Sequence, residues 1–327
     1  MKQLPAVLAG LFALSAQALL AQAALGTFKY TTSYSPAPLD GYVAILDLST
    51  GTLAPVVTSL ASNCTSPNTV FTTSTIAFAT KNSTFIAITA NTGKALTTTP
   101  PQCAVPDGLM VSNGAWVNWP QTSGPVLYFT SNSSAVITSE QLPLLSQIQN
   151  AVAGSTLQDS DCPTCQAGSL TLRELGTLLV QQGVSGACPI PKSGVMAARG
   201  AIGLDRTNRY LIILVSTGSE PSQGLQTPDF ALLMMAFGGY NAVNFDGGGS
   251  TVFNWVPDFG VPQPCPQCAQ LITSASVGST NPNALTITNL ATPPLGSTVQ
   301  YTAQTPPRAV YASIGFLPPG AAKAKKK

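Results

Sequence analysis

Short apolar runs, interrupted every few positions by Ser, Thr, Gly, Pro or Asn, fill the chain beyond residue 40. Gly41-Tyr-Val-Ala-Ile-Leu-Asp-Leu48 predicts a strand closed by a turn at Ser49-Thr50-Gly51, and further strands are predicted within 84–89, 108–116 and 126–129. Residues 140–153 read as a helix in which Pro143 is tolerated because it falls in the first turn. A second helix is signalled by Thr171 as cap, Glu174 three residues on as its capping-box partner, and Gly183 as its end. Residues 199–215 predict a hairpin turning at Asp205-Arg206-Thr207-Asn208, followed by a Ser/Gly/Pro-rich loop over 216–226. The next helix has Thr227 as N-cap, Pro228 at its first position and Asp229 in the electropositive first turn. Phe230, Leu233, Met234 and Phe237 share its core face, and Gly238-Gly239 stop it. Residues 241–245 form a buried type of strand that delivers Asp246 to a run of three glycines. Residues 257–282 read as loop-rich, and closing strands fall near 285–287 and 310–314.

No internal repeat and no linker divides this series. The expected fold is α+β: a single domain over 24–318 with a mixed, strand-rich sheet flanked by a few helices. Ahead of it, Lys2, an apolar run over 4–20 and the small-x-small triplet Ala21-Gln22-Ala23 read as a signal peptide over 1–23, with an uncleaved signal anchor as the alternative. No later run is long enough to span a bilayer, so no stable membrane insertion is expected once the signal is removed. Sequons at Asn63, Asn82 and Asn132 agree with a secreted protein or one in the lumen of the secretory pathway.

Composition narrows the partners. Charged residues make up 8% of the 327 residues, against 44% hydrophobic. The formal charge of +2 depends on Lys2 and on the basic tail over 319–327, which carries Lys323, Lys325, Lys326 and Lys327. Without those five, nine basic side chains face twelve acidic ones, which is not the footprint of a nucleic-acid binder. Seven cysteines in an exported chain imply up to three disulfides and one odd thiol. The pairs Cys162/Cys165 and Cys265/Cys268 leave a four-thiolate zinc site as a weaker alternative, and a redox motif as a weaker one still, because neither pair is predicted between a strand and a helix.

The chain contains no histidine, which rules out Ser-His-Asp and Cys-His hydrolases and histidine-ligated metals. Acid–base chemistry then falls mainly to carboxylates, tyrosines, lysines or cysteines. Asp246-Gly247-Gly248-Gly249-Ser250 puts a carboxylate at the end of a rigid element, beside backbone that no Cβ obstructs. Successive glycine N–H groups can form an anion nest suited to a phosphate oxygen, with Ser250 and Thr251 as hydroxyl donors. A plain Asp-Gly turn is the alternative.

Ala198-Arg199-Gly-Ala-Ile-Gly203, the helix opening Asp229-Phe230-Ala231 and Ala242-Val-Asn-Phe-Asp-Gly-Gly-Gly-Ser250, in that order, resemble the phosphodiester glycosidase family. Its pattern runs Arg-Thr-Ala-Ile-Gly, an apolar strand, a Thr-capped helix opening Glu-Leu-Ala, then Asn-Leu-Asp-Gly-Gly-Gly-Ser. Arg308-Ala-Val-Tyr-Ala-Ser-Ile-Gly315 resembles the family's closing segment, and Ile86-Ala-Ile-Thr-Ala-Asn91-Thr-Gly93 its early Ala-Ile-Asn-Gly-Gly. Where many members have Asp-Gly-Arg after the apolar strand, this chain has Ser216-Thr217-Gly218, with Glu220 two residues on.

The resemblance implies a secreted hydrolase that cleaves a sugar-1-phosphate diester, with Asp246 as catalytic residue. Arg199, Asn91, Gly247, Gly248, Gly249, Ser250 and Arg308 are the implied substrate contacts, the arginines being suited to bidentate phosphate binding. Structural ion pairing is the alternative for both arginines. The expected partner is a phosphorylated glycan or sugar phosphate, with no cofactor or metal. The altered Ser216–Gly218 segment keeps a second reading open: a non-catalytic carbohydrate- or cell-wall-binding protein on the same scaffold.

Overall fold

A computed structural model describes residues 22–317 except 33–36, 52, 65, 67, 100–101, 119–124, 133, 140–141, 143, 156–177, 187–195, 219–222, 261 and 278–285. Its largest sheet has nine strands among these residues: β1 (Gln22–Thr31), β2 (Leu39–Asp47), β13 (Val180–Gln181), β14 (Val184–Ser185), β15 (Arg199–Leu204), β16 (Tyr210–Ser216), β17 (Asn241–Asn244), β19 (Gln263–Pro264) and β20 (Thr286–Ala291). They lie in the order β14-β13-β17-β15-β16-β2-β1-β19, with β20 also on β1. All pairs are antiparallel except β1 with β19, so the sheet is mixed.

Three smaller sheets complete the strands. One holds β3 (Ala54–Val57), β5 (Ile86–Thr89), β18 (Val252–Trp255), β21 (Val299–Thr302) and β22 (Ser313–Leu317). A second holds β8 (Met110–Ser112), β9 (Ala115–Asn118), β10 (Val126–Thr130), β11 (Ala135–Thr138) and β12 (Ile148–Ala153). A third joins β4 (Val70–Phe71), β6 (Gly93–Ala95) and β7 (Cys103–Pro106). The α-helices among the described residues are α1 (Thr75–Asn82), α2 (Thr227–Ala236) and α3 (Pro266–Thr273). The fold is therefore α+β and mostly strand, as expected, with the strands distributed over four sheets.

The large sheet is buried on both faces, which explains the nearly unbroken apolar run in β16. Leu211, Ile213 and Val215 point into one core with Ile202 and Leu204 of β15, Val243 of β17, and Ile88, Phe253, Trp255 and Ile314 of the facing sheet. Ile212 and Leu214 point the other way, against Phe230, Leu233 and Met234 of α2 and Ile272 of α3. The closeness of these layers shows at Gly41, where an added Cβ would collide with the ring of buried Phe28. Phe28 is itself held against Phe237, with ring centroids 5.0 Å apart.

Several sequence expectations change. Residues 148–153, expected to be helical, form β12 after a short 3-10 turn at Leu145–Gln147. Val152 faces one core and Ile148, Ala151 and Ala153 another, while β10 pairs along the strand, so the hydrogen-bonding partners decide against local helix propensity. Thr171 and Glu174 lie outside the described residues; Gly183 (φ +76°) follows Gln182 (φ +52°) in the tight β13–β14 turn rather than ending a helix. Gln226, not Thr227, is the N-cap of α2, which makes no side-chain cap bond. The stretch expected to be loop-rich contains α3, capped by Cys265. The hairpin and its turn stand as expected: the Asp205 carboxylate accepts from the N–H groups of Thr207, Arg209 and Tyr210.

Gln22 and Ala23, the last residues of the expected leader, begin β1, where Ala23 is buried. Residues 1–21 and the tail 318–327 lie outside the described residues. No helix among the described residues is long and apolar enough to cross a membrane. Disulfides join Cys64 to Cys103 and Cys265 to Cys268, and Cys162, Cys165 and Cys188 lie outside the described residues. The second bond removes the thiolates that the zinc alternative would need from Cys265 and Cys268. It also sits between β19 and α3, a strand–helix setting that the sequence did not predict.

Two tests follow from this packing. Gly41→Ala forces the Phe28 ring out of its place and is expected to destabilise the protein by about 1–3 kcal/mol in chemical denaturation. At the far end of the sheet, burial disfavours ionised Asp47, but hydrogen bonds from Arg209 and Ser49 outweigh it and hold the carboxyl below the usual carboxylate range. A folded-state value below the unfolded one contributes stability that is present above pH about 4 and lost as pH falls through the folded value. Asp47→Asn is expected to flatten that part of the acid limb in a denaturation series across pH 2–6.

Candidate active site

The candidate site forms where β15, β16 and β17 end together. The β15–β17 register, Ala201 opposite Asn244, continues outward: the Phe245 N–H donates to the Gly200 carbonyl at 2.9 Å, and the Gly248 N–H to the Ala198 carbonyl at 2.9 Å. Between these bonds the Asp246 N–H donates to the Ala90 carbonyl at 3.1 Å, fixing the carboxylate-bearing residue against the end of β5. Strand pairing thus brings Asp246, the Ala198-Arg199 start of β15 and the Ala90-Asn91 segment to one place. Asp246 is half-buried there.

The glycines have distinct roles. Gly248 has φ +57°, the left-handed region that favours glycine, and opens a 3-10 turn over Gly248–Ser250. At Gly247 a Cβ would lie 3.1 Å from the Ala198 carbonyl, and at Gly249 3.3 Å from the Gln304 amide oxygen. The anion nest is narrower than the sequence implies. The N–H groups of Asp246, Gly248 and Ser250 are engaged by the Ala90, Ala198 and Gly247 carbonyls. Those of Gly247 and Gly249 have no hydrogen-bond partner among the described residues and are the donors open to a ligand.

Beneath the loop runs a chain of buried hydroxyls. Ser313 Oγ and Thr75 Oγ1 lie 3.0 Å apart, Thr75 Oγ1 and Thr89 Oγ1 2.9 Å, and Thr89 Oγ1 donates to the Ser250 carbonyl at 2.7 Å. This ties the glycine loop to α1, β5 and β22 through groups that water does not reach. Ser250 is buried, so its backbone anchors the loop to the core.

Arg199 is half-buried. Its N–H donates to Ser216 Oγ at 3.2 Å and its Nε to the Leu225 carbonyl at 2.6 Å, so one edge of the guanidinium is fixed to the segment that leads into α2. Asn91 is 1% exposed. Its Nδ2 donates to the Asp107 carbonyl at 2.7 Å and the Leu109 carbonyl at 3.3 Å, while its Oδ1 is buried with no partner among the described residues. Arg308 behaves differently. It is exposed and makes no hydrogen bond or ion pair with any described residue. Its segment borders the site at both ends, through Ala303 N–H to the Thr251 carbonyl and Ala90 N–H to the Ala312 carbonyl, but among the described residues no hydrogen bond or ion pair joins Arg308 to the glycine loop.

Residues marked by no motif in the chain border the site as well. The Tyr301 hydroxyl accepts from the Gly218 N–H at 3.1 Å and lies 3.3 Å from its carbonyl, so it clamps the segment where the family's Asp-Gly-Arg would lie. Tyr301 stacks on Tyr42, centroids 5.8 Å apart, and Tyr42 on Phe253 at 5.7 Å. At Gly218 a Cβ would meet the Ala198 nitrogen and the Gly224 Cα, each at 2.7 Å, so this turn is packed against the start of β15. The Thr217 hydroxyl is bound to the Asp40 carbonyl at 2.8 Å, and Glu220 lies outside the described residues. No pattern in the chain marks Tyr301, because it reaches the site only through the β18–β21 pairing of Phe253 with Tyr301.

Burial pushes the phenols of Tyr30, Tyr42 and Tyr301 above their ordinary range. They remain protonated at neutral pH and act as hydrogen-bond groups rather than bases. With no histidine in the chain, Asp246 is the candidate at this site for any acid–base role. Among the described residues no group of three or more His, Cys, Asp or Glu side chains is placed to hold a metal ion.

The architecture is found in solved structures. The catalytic domain of zebrafish N-acetylglucosamine-1-phosphodiester alpha-N-acetylglucosaminidase, auto-inhibited by its pro-peptide, superposes with a TM-score of 0.56 at 14% identity, covering 91% of this chain and 87% of that one. A putative exported protein from Burkholderia pseudomallei K96243 superposes with a TM-score of 0.52 at 12% identity, covering 86% and 74%. At these identities the likeness establishes the fold alone. No curated protein matches the sequence. The family model of the phosphodiester glycosidases matches residues 74–268, more than half of the chain, and takes in Asn91, Arg199 and the whole glycine loop. The chain belongs to the phosphodiester glycosidase family.

Proposed function

We propose that this protein is an exported hydrolase that cleaves a sugar from a sugar-1-phosphate diester, at the site where the glycine loop meets the start of β15. The observation that carries this reading is the pair of bonds from Asp246 N–H to the Ala90 carbonyl and from Gly248 N–H to the Ala198 carbonyl. They hold the carboxylate, the glycine loop and the Arg199 strand in one rigid arrangement. In this reading Arg199 and the N–H groups of Gly247 and Gly249 bind the phosphate, and Asp246 assists proton transfer or orients the sugar. Asn91 contributes an acceptor in the wall, and positioning and charge stabilisation supply most of the rate. Arg308, exposed beside the cleft, is a substrate contact only for the part of the ligand that projects outward. Export is supported by the Cys64–Cys103 and Cys265–Cys268 disulfides, which persist in oxidising compartments.

A non-catalytic carbohydrate-binding role on the same scaffold is favoured by one observation. Ser216 Oγ and the Thr217 hydroxyl are engaged by the protein itself, so Ser216–Gly218 offers little to replace the family's Asp-Gly-Arg.

One assay separates the two. The purified protein, incubated with N-acetylglucosamine-1-phosphate diesters, is expected to release free sugar, and Asp246→Ala is expected to lower kcat by about 100-fold or more. Equal release by Asp246→Ala overturns the assigned role; sugar binding without release by the wild type supports the binding protein. Gly248→Val, which places a β-branched residue at positive φ, is expected to cost about 1–3 kcal/mol of stability in denaturant titration and to lower turnover together with it.

A further inference from the structure

A second carboxylate, Asp107, is bonded to the same short segment that anchors Asp246. Asp107 follows β7, and three hydrogen bonds tie it to the segment that also anchors Asp246. Its N–H donates to the Thr92 carbonyl at 2.7 Å, its carbonyl accepts from Asn91 Nδ2 at 2.7 Å, and its Oδ2 accepts from the Thr92 hydroxyl at 3.1 Å. Asp246 is anchored at Ala90, two residues before Thr92, a span of at most about 7 Å of chain. Between the two anchor points lies Asn91, 1% exposed, with its Oδ1 lacking a partner among the described residues. A buried amide oxygen without a donor costs stability unless something supplies one, and a sugar hydroxyl or amide has that chemistry.

The other described carboxylates are committed or placed elsewhere. Asp40 pairs with Lys29, Asp47 with Arg209, Asp205 closes its turn, and Asp229 is buried in the first turn of α2. Asp258, exposed in the 3-10 turn after β18, lies beyond the Phe85 end of β5, opposite to Ala90. Asp107 is exposed, has no ion-pair partner among the described residues, and retains Oδ1 for a ligand.

We propose that Asp107 is a second catalytic residue of this cleft, the base that activates water against the sugar held at Asp246. The inference rests on the hydrolase reading above. Glycosidases place two carboxylates about the scissile bond, and a phosphate leaves without needing a strong acid, so one residue is available as base. The water oxygen bonds to the anomeric carbon as its proton passes to Asp107 Oδ1. The bond from the anomeric carbon to the phosphate oxygen breaks with its electron pair on that oxygen. The products are free sugar and a phosphomonoester, and Asp107 returns its proton to solvent.

The test is Asp107→Asn in the full-length protein, assayed on an N-acetylglucosamine-1-phosphate diester across pH 4–8 beside the wild type. The expected result is a fall in kcat of about 100-fold or more, KM within about threefold, and loss of the rise in kcat/KM with pH that a carboxylate base produces. Wild-type kcat in Asp107→Asn, or a reduced kcat with that rise intact, overturns the assignment of Asp107 while leaving the hydrolase reading in place. No turnover by the wild type overturns the hydrolase reading itself, and the role of Asp107 as base with it.

Discussion

Burial of the large sheet on both faces is the constraint from which the rest of the molecule follows. β15 and β16 can be apolar at nearly every position only because one set of alternate side chains meets the facing sheet while the other meets α2 and α3. A one-residue slip in either strand would exchange the two sets. The register is therefore fixed along the strands, and it is carried past their ends by Phe245 N–H to Gly200 and Gly248 N–H to Ala198. The position of Asp246 is a consequence of core packing many residues away.

A site built this way is rigid before any ligand arrives. The glycine loop is held from the side by Ala198, from the front by Ala90 and from below by the Ser313–Thr75–Thr89 hydroxyl chain. Those bonds also limit it: engaging Gly248 and Ser250 leaves Gly247 and Gly249 as donors for an anion. The aromatic stack from Phe253 through Tyr42 to Tyr301 extends the core to the cleft and ends in a hydroxyl clamp on Gly218. The segment that departs from the family pattern is thereby held by packing and neutral hydrogen bonds.

Much of the candidate site can be read from residue order. Asp246, its glycines and Arg199 are contiguous motifs in strand–loop contexts, and short-range pattern is enough to find them. Arg308 differs, since its motif borders the site while its side chain makes no hydrogen bond or ion pair with the described residues of the glycine loop. Asp107, Tyr301 and Gln304 were not legible. Tyr301 and Gln304 reach the site through the pairing of β18 with β21, strands distant in sequence, while Asp107 follows β7 and meets the Asn91–Thr92 segment beside the β6–β7 pairing; no local signal encodes such partners.

The same division holds for the fold. Residues 199–215 and 241–245 declare themselves as strands because burial on both faces leaves an apolar run, and the hairpin turn because Asp205 caps it with its own carboxylate. The helix that begins at Thr227 is declared by Pro228 and the apolar face that follows. Residues 148–153 carry a composition that suits helix or strand, and only the hydrogen-bonding edge of β10 settles them as β12. Chain order thus fixes the chemistry available, a carboxylate and a glycine loop in a protein without histidine. Which groups meet is decided in three dimensions, because hydrogen bonds across a sheet join residues that share nothing in sequence but their register.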